Sequence, residues 1–270
     1  MDFFNVMNWD EFYLPYEKAV NELCLKFSDL KNEFKKIGKH SPIDTVKGRL
    51  KSVGSILTKA EKKNIPYHKI AEKLEDIAGI RIICQFENDI QKVISLIRNR
   101  NGIDLEIIRE TDYITNKKES GYRSYHIIIR YSVMMSTGLK KIPAEIQIRT
   151  LAMDFWASIE HSINYKYNGN IPDEIKLRLK SSAEASYQLD LEMGTIRGEI
   201  IEANKIIQQK NDLVEKVLVN MHKLYKIANL ESANELNREF ITIYEECDLE
   251  KLQAFRDKQE TLIKMYKLEG

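Results

Sequence analysis

Two short segments hold most of the reactive side chains that this chain groups together. KESGYRSYH, Lys118 to His126, sets lysine, tyrosine, arginine and histidine around a Gly-Ser turn. Further on, EIQIRT, Glu145 to Thr150, places Glu145, Gln147 and Arg149 at alternate positions with Ile146 and Ile148 between them. Successive side chains of a strand point to opposite faces, so EIQIR presents one apolar face and one face with a carboxylate, an amide and a guanidinium. The two segments supply an aromatic platform, donors for phosphate oxygens and a carboxylate able to hold a metal. That set suits phosphoryl chemistry on a nucleotide. Each segment alone also fits a plainer reading, a half-exposed antiparallel strand or a polar loop entering a strand. Their occurrence together, with the groups below, favours a site.

Phosphoryl transfer needs cations around the phosphates, a metal held by carboxylates and an aimed nucleophile. In TVKGRLKS, Lys47, Arg49 and Lys51 share one face of a predicted strand, and Ser52, Ser55 and Lys59 recur on one helical face. A solvated basic surface is the alternative for that cluster. Asp76 precedes the apolar strand GIRIICQF, on whose less apolar face Arg81 lies beside Gln85. Asp76 and Glu145, from separate strands, form the kind of carboxylate pair that Mg²⁺ takes, with phosphate and water completing its octahedron. Tyr122 reads as exposed and able to stack on a base, or as a lid on the core. His126 is open between a structural and a ligand-contacting role. Glu160 and His161 make no HExxH pattern, and neither a Walker A loop nor GxGxxG occurs. His40, His68 and His222 have no reactive neighbours in the sequence.

These residues need elements to hold them. Tyr13, Tyr16, Val20, Leu23, Phe27 and Leu30 recur at helical steps and predict a helix over Trp9–Lys36, ended by Gly38 to Pro42. A strand over TVKGRLKS, a helix from Ser55 to Lys63 and a short helix before Asp76 follow. The β-branched run Gly79–Phe86 predicts a strand, and Asp89–Arg98 a helix. Strands are expected near Asp104–Glu110, Tyr125–Tyr131 and Ile142–Arg149, and helix from Leu151 onward. A strand-rich middle flanked by helices is α+β. In the helical C-terminal third, Leu189, Met193, Ile196 and Ile200, then Val214, Val217, Leu218, Met221 and Leu224, form stripes that pack on the core or on another subunit. Ser232 and Glu235 fit a capping box at a new helix start.

The 42 basic and 41 acidic side chains leave a net charge of +1, so any anion site is a local cluster rather than a global attraction to nucleic acid or membrane. Cys24, Cys84 and Cys247 have no metal-ligand spacing, which fits a reduced, cytosolic chain; Cys84 is expected to pack as a small hydrophobe. No segment has the length and apolar purity of a transmembrane helix. The acidic start MDFFNVMNWDEF predicts no export signal. Five prolines and eleven glycines argue against long disordered linkers.

The motifs VKGRLKS, DIAGIRIICQF, KESGYRSYH and EIQIRTLAMDFWASIEHSINYKY, in that order, strongly resemble the Rel/SpoT-type (p)ppGpp synthetases. Among them the small single-domain alarmone synthetases of the RelQ type look nearest, from about the first helix to Asn211. The resemblance implies a nucleotidyltransferase-like mixed sheet of about five strands flanked by helices, spanning 1–212, with a helical extension over 213–270. It implies transfer of the β,γ-pyrophosphate of ATP to the 3′-OH of GDP or GTP, giving (p)ppGpp and AMP in the stringent response, with GMP a further acceptor to consider. By the same resemblance, Arg49 and Arg81 sandwich the adenine, and Lys51, Ser55 and Lys59 contact the donor phosphates. Asp76 and Glu145 hold Mg²⁺, and Glu145 also helps to deprotonate the 3′-OH. Tyr122 stacks on guanine, while Lys118, His126 and Gln147 position the acceptor. The chain has no His-Asp hydrolase motif, so synthesis without hydrolysis is expected. Tetrameric relatives bind alarmone at a second site using an aromatic where Thr45 stands and an Asn where Asp154 stands; an added carboxylate argues against product activation of that kind. A cytoplasmic homo-oligomer, tetrameric by resemblance, is expected. The alternatives are pyrophosphate transfer to a tRNA 3′ end, against which near-neutral charge argues, and a non-catalytic nucleotide- or RNA-binding regulator.

Overall fold

Tyr16, Val20, Leu23 and Phe27 are buried along one side of helix α1, Trp9–Lys36, as their three- and four-residue spacing requires. Asn8 caps the helix by accepting from Glu11 N; Asp10 and Glu11 occupy its first turn and Lys35 and Lys36 its last, as the helix dipole favours. The structure, a computed structural model, describes residues 8–167, 171–227, 230–246 and 248–268. The first seven residues of the acidic start, and Cys247, lie outside the described residues.

Contacts divide the chain into two compact units, 1–194 and 195–270; the extension expected over 213–270 lies wholly in the second. The first unit contains β1 (Thr45–Leu50), α2 (Val53–Lys62), a 3₁₀ turn (Tyr67–Lys69) leading into α3 (Ile70–Lys73), β2 (Ala78–Cys84) and α4 (Glu87–Arg98). After these come β3 (Glu106–Asp112), β4 (Tyr125–Met135), β5 (Gly138–Thr150) and α5 (Leu151–Lys166). Helix α6 runs unbroken from Asp173 to Ile227 and so passes through the division. The second unit adds α7 (Leu230–Glu246) and α8 (Leu249–Leu268) around a core of Leu213, Val217, Met221, Leu224, Leu252 and Phe255. Helix α7 is already under way at Leu230, so Ser232 is not its N-cap.

The five strands form one mixed sheet in the order β1-β2-β5-β4-β3, with only β2 and β5 parallel. One face carries Ile80, Ile82, Ile127, Ile129, Ile146 and Ile148, all buried with the apolar sides of α1 and α4 in a single core. Gly48 on β1 lets α1 approach: a Cβ there would come within 2.3 Å of Val20 Cγ1 and 2.8 Å of Cys24 Sγ. Cys84 is buried in this core, as expected.

Several strand edges differ from expectation; β1 ends at Leu50, β2 at Cys84 and β3 at Asp112. β3 starts at Glu106 because Asp104 is held in a turn by Lys26 (2.9 Å) and Arg100. β4 and β5 run on to Met135 and back from Gly138, pairing as a hairpin whose Met134 and Leu139 are exposed. On β4 the alternation continues through buried Val133 to Met135, whereas Gly138 to Lys141 of β5 are all exposed and carry no apolar period.

Thr150 ends β5 and caps α5 by accepting from Met153 N at 3.1 Å, while donating to buried Asp190 of α6. Burial pushes the Asp190 carboxyl up to about 6, only partly countered by Thr150 and reinforced by Glu87. The folded chain therefore holds a proton that the unfolded chain releases near pH 4. Stability falls as pH rises from about 4 to about 6 and stays reduced above that. Asp190→Asn keeps the acceptor for Thr150 and removes this penalty. We expect it to be more stable than wild type by about 2 kcal/mol near neutral pH and equal below about pH 4, read from urea midpoints at both.

Candidate active site

The sheet face opposite the isoleucines carries the polar residues. Register aligns Arg49, Gly79, Glu145 and Ile128 in one row, and Lys47, Arg81, Gln147 and His126 in the next. Thr45, Ile83 and Arg149 follow in the third. In-register residues of neighbouring strands project from the same face. Residues from four separate stretches of chain thus share one surface, as the alternation in EIQIR and VKGRL predicts. Gly79 leaves room for Arg49, whose Cγ would lie 3.2 Å from a Cβ placed there.

The basic half gathers at the end of β1. The Lys51 backbone N–H donates to Ile77 O at 2.9 Å, and Tyr13 Oη to Lys51 O at 2.6 Å. Ser52 caps α2 by accepting from Ser55 N, which fixes how the helix leaves the strand. Lys51 and Lys59 then converge on Asp76 Oδ2, with Nζ at 2.9 and 2.5 Å. Burial pushes the Asp76 carboxyl up, but the two ammonium groups outweigh it and hold it below the usual carboxylate range. Ser55 is exposed on the first turn of α2 and accepts from Ser52 Oγ at 2.9 Å. Arg81 is half-buried, and burial together with the Arg149 and Arg49 charges pulls it below the usual guanidinium range.

The aromatic half lies on β4 and the loop before it. His126 Nδ1 is 3.0 Å from Glu145 Oε1, and Gln147 Nε2 donates to Glu145 Oε2 at 2.7 Å. Burial raises the Glu145 carboxyl and the Asp76 charge raises it further, yet His126 and Gln147 hold it below its ordinary value. Glu145 is therefore ionised. Lys118 Nζ lies 4.7 Å from the Tyr113 ring centroid and 4.9 Å from that of Tyr122. Tyr122 is not exposed, as the sequence suggests, but half-buried against a small cluster of Trp156, Ala157 and Ala183. Its hydroxyl is 2.9 Å from His126 Nε2.

The loop is held from α6. Gly121 has φ +90°, and a Cβ on it would fall 2.7 Å from Ala183 Cβ. Arg123 Nη2 donates to Glu184 at 2.9 Å and its guanidinium stacks 4.1 Å from the Tyr187 ring centroid; Lys117 reaches the same carboxylate at 2.7 Å. Sequence reading notes Arg123 without a role and leaves out Glu184, since only the fold brings them together. It notes Arg149 for its alternation but gives it no role. Asp154 is buried between Lys47 and Arg149, each 3.5 Å away. His40 does have a partner, Asp89 Oδ2 at 2.8 Å.

The Asp76 and Glu145 pair fits a magnesium ion. Asp76 Oδ1 is buried without a hydrogen-bond partner although Oδ2 takes two lysines. Among the described residues no cluster of three or more His, Cys, Asp or Glu could hold a metal. Two carboxylates suit an ion that draws its other ligands from phosphate and water.

Residues 48–170 match the model described as a region found in RelA/SpoT proteins. The GTP pyrophosphokinase YjbM of Bacillus subtilis is 50% identical over 202 residues, covering 75% of this chain and 94% of that protein. A GTP pyrophosphokinase family protein from Streptococcus pneumoniae superposes with TM-score 0.69 at 50% identity, covering 73% of this chain and 96% of the other. The small alarmone synthetase 1 of Bacillus subtilis, bound to its product pppGpp, superposes with TM-score 0.68 at 49% identity, covering 71% and 97%.

Proposed function

This chain belongs to the family of RelA/SpoT proteins, and from that premise we infer that it is a GTP pyrophosphokinase, a small alarmone synthetase without hydrolase activity. It transfers the β,γ-pyrophosphate of ATP to the 3′-OH of GDP or GTP, forming (p)ppGpp and releasing AMP. The reading is supported by two neighbouring clusters, Asp76 just before β2 with Lys51 and Lys59, and Glu145 on the polar face of β5 with His126 and Gln147 beside Lys118 and Tyr122.

Arg49 and Arg81 take the adenine between them; a guanidinium is planar and stacks on a base. Lys51, Ser55 and Lys59 receive the phosphates, so ATP displaces the lysines from their present bond to Asp76. Tyr122 stacks on guanine, with Lys118, His126 and Gln147 orienting the nucleoside. The ribose oxygen forms its bond to the β-phosphorus as the bond from that phosphorus to the AMP oxygen breaks, and Glu145 accepts the hydroxyl proton. His126 and Gln147 keep the Glu145 oxygens aimed. Magnesium, when bound by Asp76 and Glu145, supplies positive charge to the donor phosphates. Holding both nucleotides in line replaces a bimolecular encounter and removes several kcal/mol, on the order of 7, from the barrier.

Chromatography of nucleotides after mixing the protein with ATP, GDP and Mg²⁺ tests this. AMP and a 3′-pyrophosphorylated guanosine nucleotide should appear in equal amounts. Label from ATP appearing only on a tRNA 3′ end would replace the acceptor, and no AMP with either would leave a nucleotide-binding regulator.

The protein acts in the stringent response as a cytoplasmic homo-oligomer in this reading. The free thiols of Cys24 and Cys84 support a reducing compartment. Among the described residues no helix is long and apolar enough to cross a membrane. An apolar groove of about 800 Å³ between α5 and the start of α6, flanked by exposed Phe155, Ile159 and Leu189, supports self-association. Light scattering should give a mass well above the 31.6 kDa of one chain, and a mass equal to it would remove the oligomer.

A further inference from the structure

Arg149 is nearly inaccessible, 2% exposed, yet it sits on the reactive face among groups that bind nucleotides in the reading above. Its surroundings form a closed circuit. Arg149 Nη2 donates to Tyr122 Oη at 3.2 Å and also to Gln147 Oε1. Tyr122 Oη meets His126 Nε2 at 2.9 Å, and His126 Nδ1 meets Glu145 Oε1 at 3.0 Å. Gln147 Nε2 closes the ring on Glu145 Oε2 at 2.7 Å.

The two ends fix the direction of the bonds they make. A carboxylate only accepts and a guanidinium only donates. His126 therefore donates from Nδ1, and in the neutral imidazole Nε2 accepts the Tyr122 hydroxyl. Gln147 must turn its amide nitrogen to Glu145 and its oxygen to Arg149. Both arms run from Arg149 as the common source to Glu145 as the common sink. A guanidinium has separate N–H groups in a fixed fork and can serve two acceptors at once, which a single ammonium does with less geometric definition. Asp154 Oδ1, 3.5 Å from Nη1, is the counter-charge behind it. The cation also lies 5.5 Å from the Tyr122 ring centroid, so it fixes the ring as well as the hydroxyl.

We propose that Arg149 is a positioning residue for the acceptor, holding the Tyr122 platform and the Gln147 amide in register with Glu145 through one guanidinium. The proposal rests on the synthetase reading, because it assigns the acceptor to Tyr122. It goes beyond it in giving one buried cation, assigned no nucleotide contact in that reading, a role on the acceptor side.

The test compares Arg149→Met, Arg149→Lys, Tyr122→Phe and the double variant Arg149→Met with Tyr122→Phe. Arg149→Met should raise the GDP KM about tenfold and lower kcat by a similar factor, leaving the ATP KM within about threefold, and Arg149→Lys should recover part of both. GDP titrated calorimetrically without ATP or magnesium should bind about tenfold more weakly to Arg149→Met. A chain that is only less stable would lose kcat with its folded fraction and keep both KM values. In the double variant the loss of GDP affinity should be smaller than the product of the single losses, because both act on one hydroxyl. Equal rises in both KM values, or fully multiplicative losses, would overturn the proposal. If Arg149→Met does not fold, the same cycle with Arg149→Lys decides it. A wild-type protein that makes no AMP from ATP and GDP would refute the synthetase reading itself, before any variant is measured.

Discussion

Glu145→Gln should lower AMP release about a thousandfold while ATP binding stays measurable. The substitution preserves size and removes the proton acceptor. It also disturbs the acceptor side through its neighbours. An amide at 145 can present its oxygen to only one of two donors, His126 Nδ1 and Gln147 Nε2. If its nitrogen faces Gln147, that amide must turn over, and its own nitrogen then faces Arg149, another donor. The loss thus combines missing proton transfer with a mis-set hydrogen-bond ring, and both act on kcat more than on ATP affinity. Single-turnover AMP release and calorimetric ATP binding measure the two separately. Turnover equal to wild type would take Glu145 out of the mechanism.

Tyr122→Ala should raise the acceptor KM by about 10- to 100-fold, the range that one base stacked on an aromatic ring is worth. The ATP KM should change little, since the proposed donor residues, Arg49, Arg81, Lys51 and Lys59, come from other elements of the fold. Tyr122→Phe keeps the ring and loses the bonds to His126 and Arg149, so its acceptor KM should lie between the two. Equal effects of Tyr122→Ala on both substrates would contradict guanine stacking.

Why these residues could be picked from the sequence, and others could not, follows from the range of the interactions. Glu145, Gln147 and Arg49 were legible because strand period alone assigns them a face. Lys51, Lys59 and Asp76 were legible as types, while their convergence within hydrogen-bond distance depends on how Ser52 turns the chain from β1 into α2. The motifs of a known family then gave the roles. The half-burial of Tyr122 was only one of two readings, because its cover comes from Trp156 on α5 and Ala183 on α6. Glu184 had no local signal: an exposed helical glutamate is ordinary until Arg123 and Lys117 reach it. Arg149 lay in plain view in EIQIRT, but only coordinates reveal that both arms of the ring begin on it. The β5 side of the hairpin tip escaped notice for the opposite reason, since Gly138 to Lys141 are exposed and carry no apolar period.

The place of β5 in the sheet governs when the enzyme comes into being. It is the last strand synthesised, yet it lies between β2 and β4, and β2 has no parallel partner without it. On the ribosome, then, β1 and β2, proposed to hold the donor, and β4, proposed to hold the acceptor, are made first and wait apart, with the isoleucine-rich edges that face β5 unpaired. A nascent chain halted before Thr150 leaves the tunnel carries both sets of side chains but no working surface. Chaperone demand should peak in that interval and fall once β5 inserts.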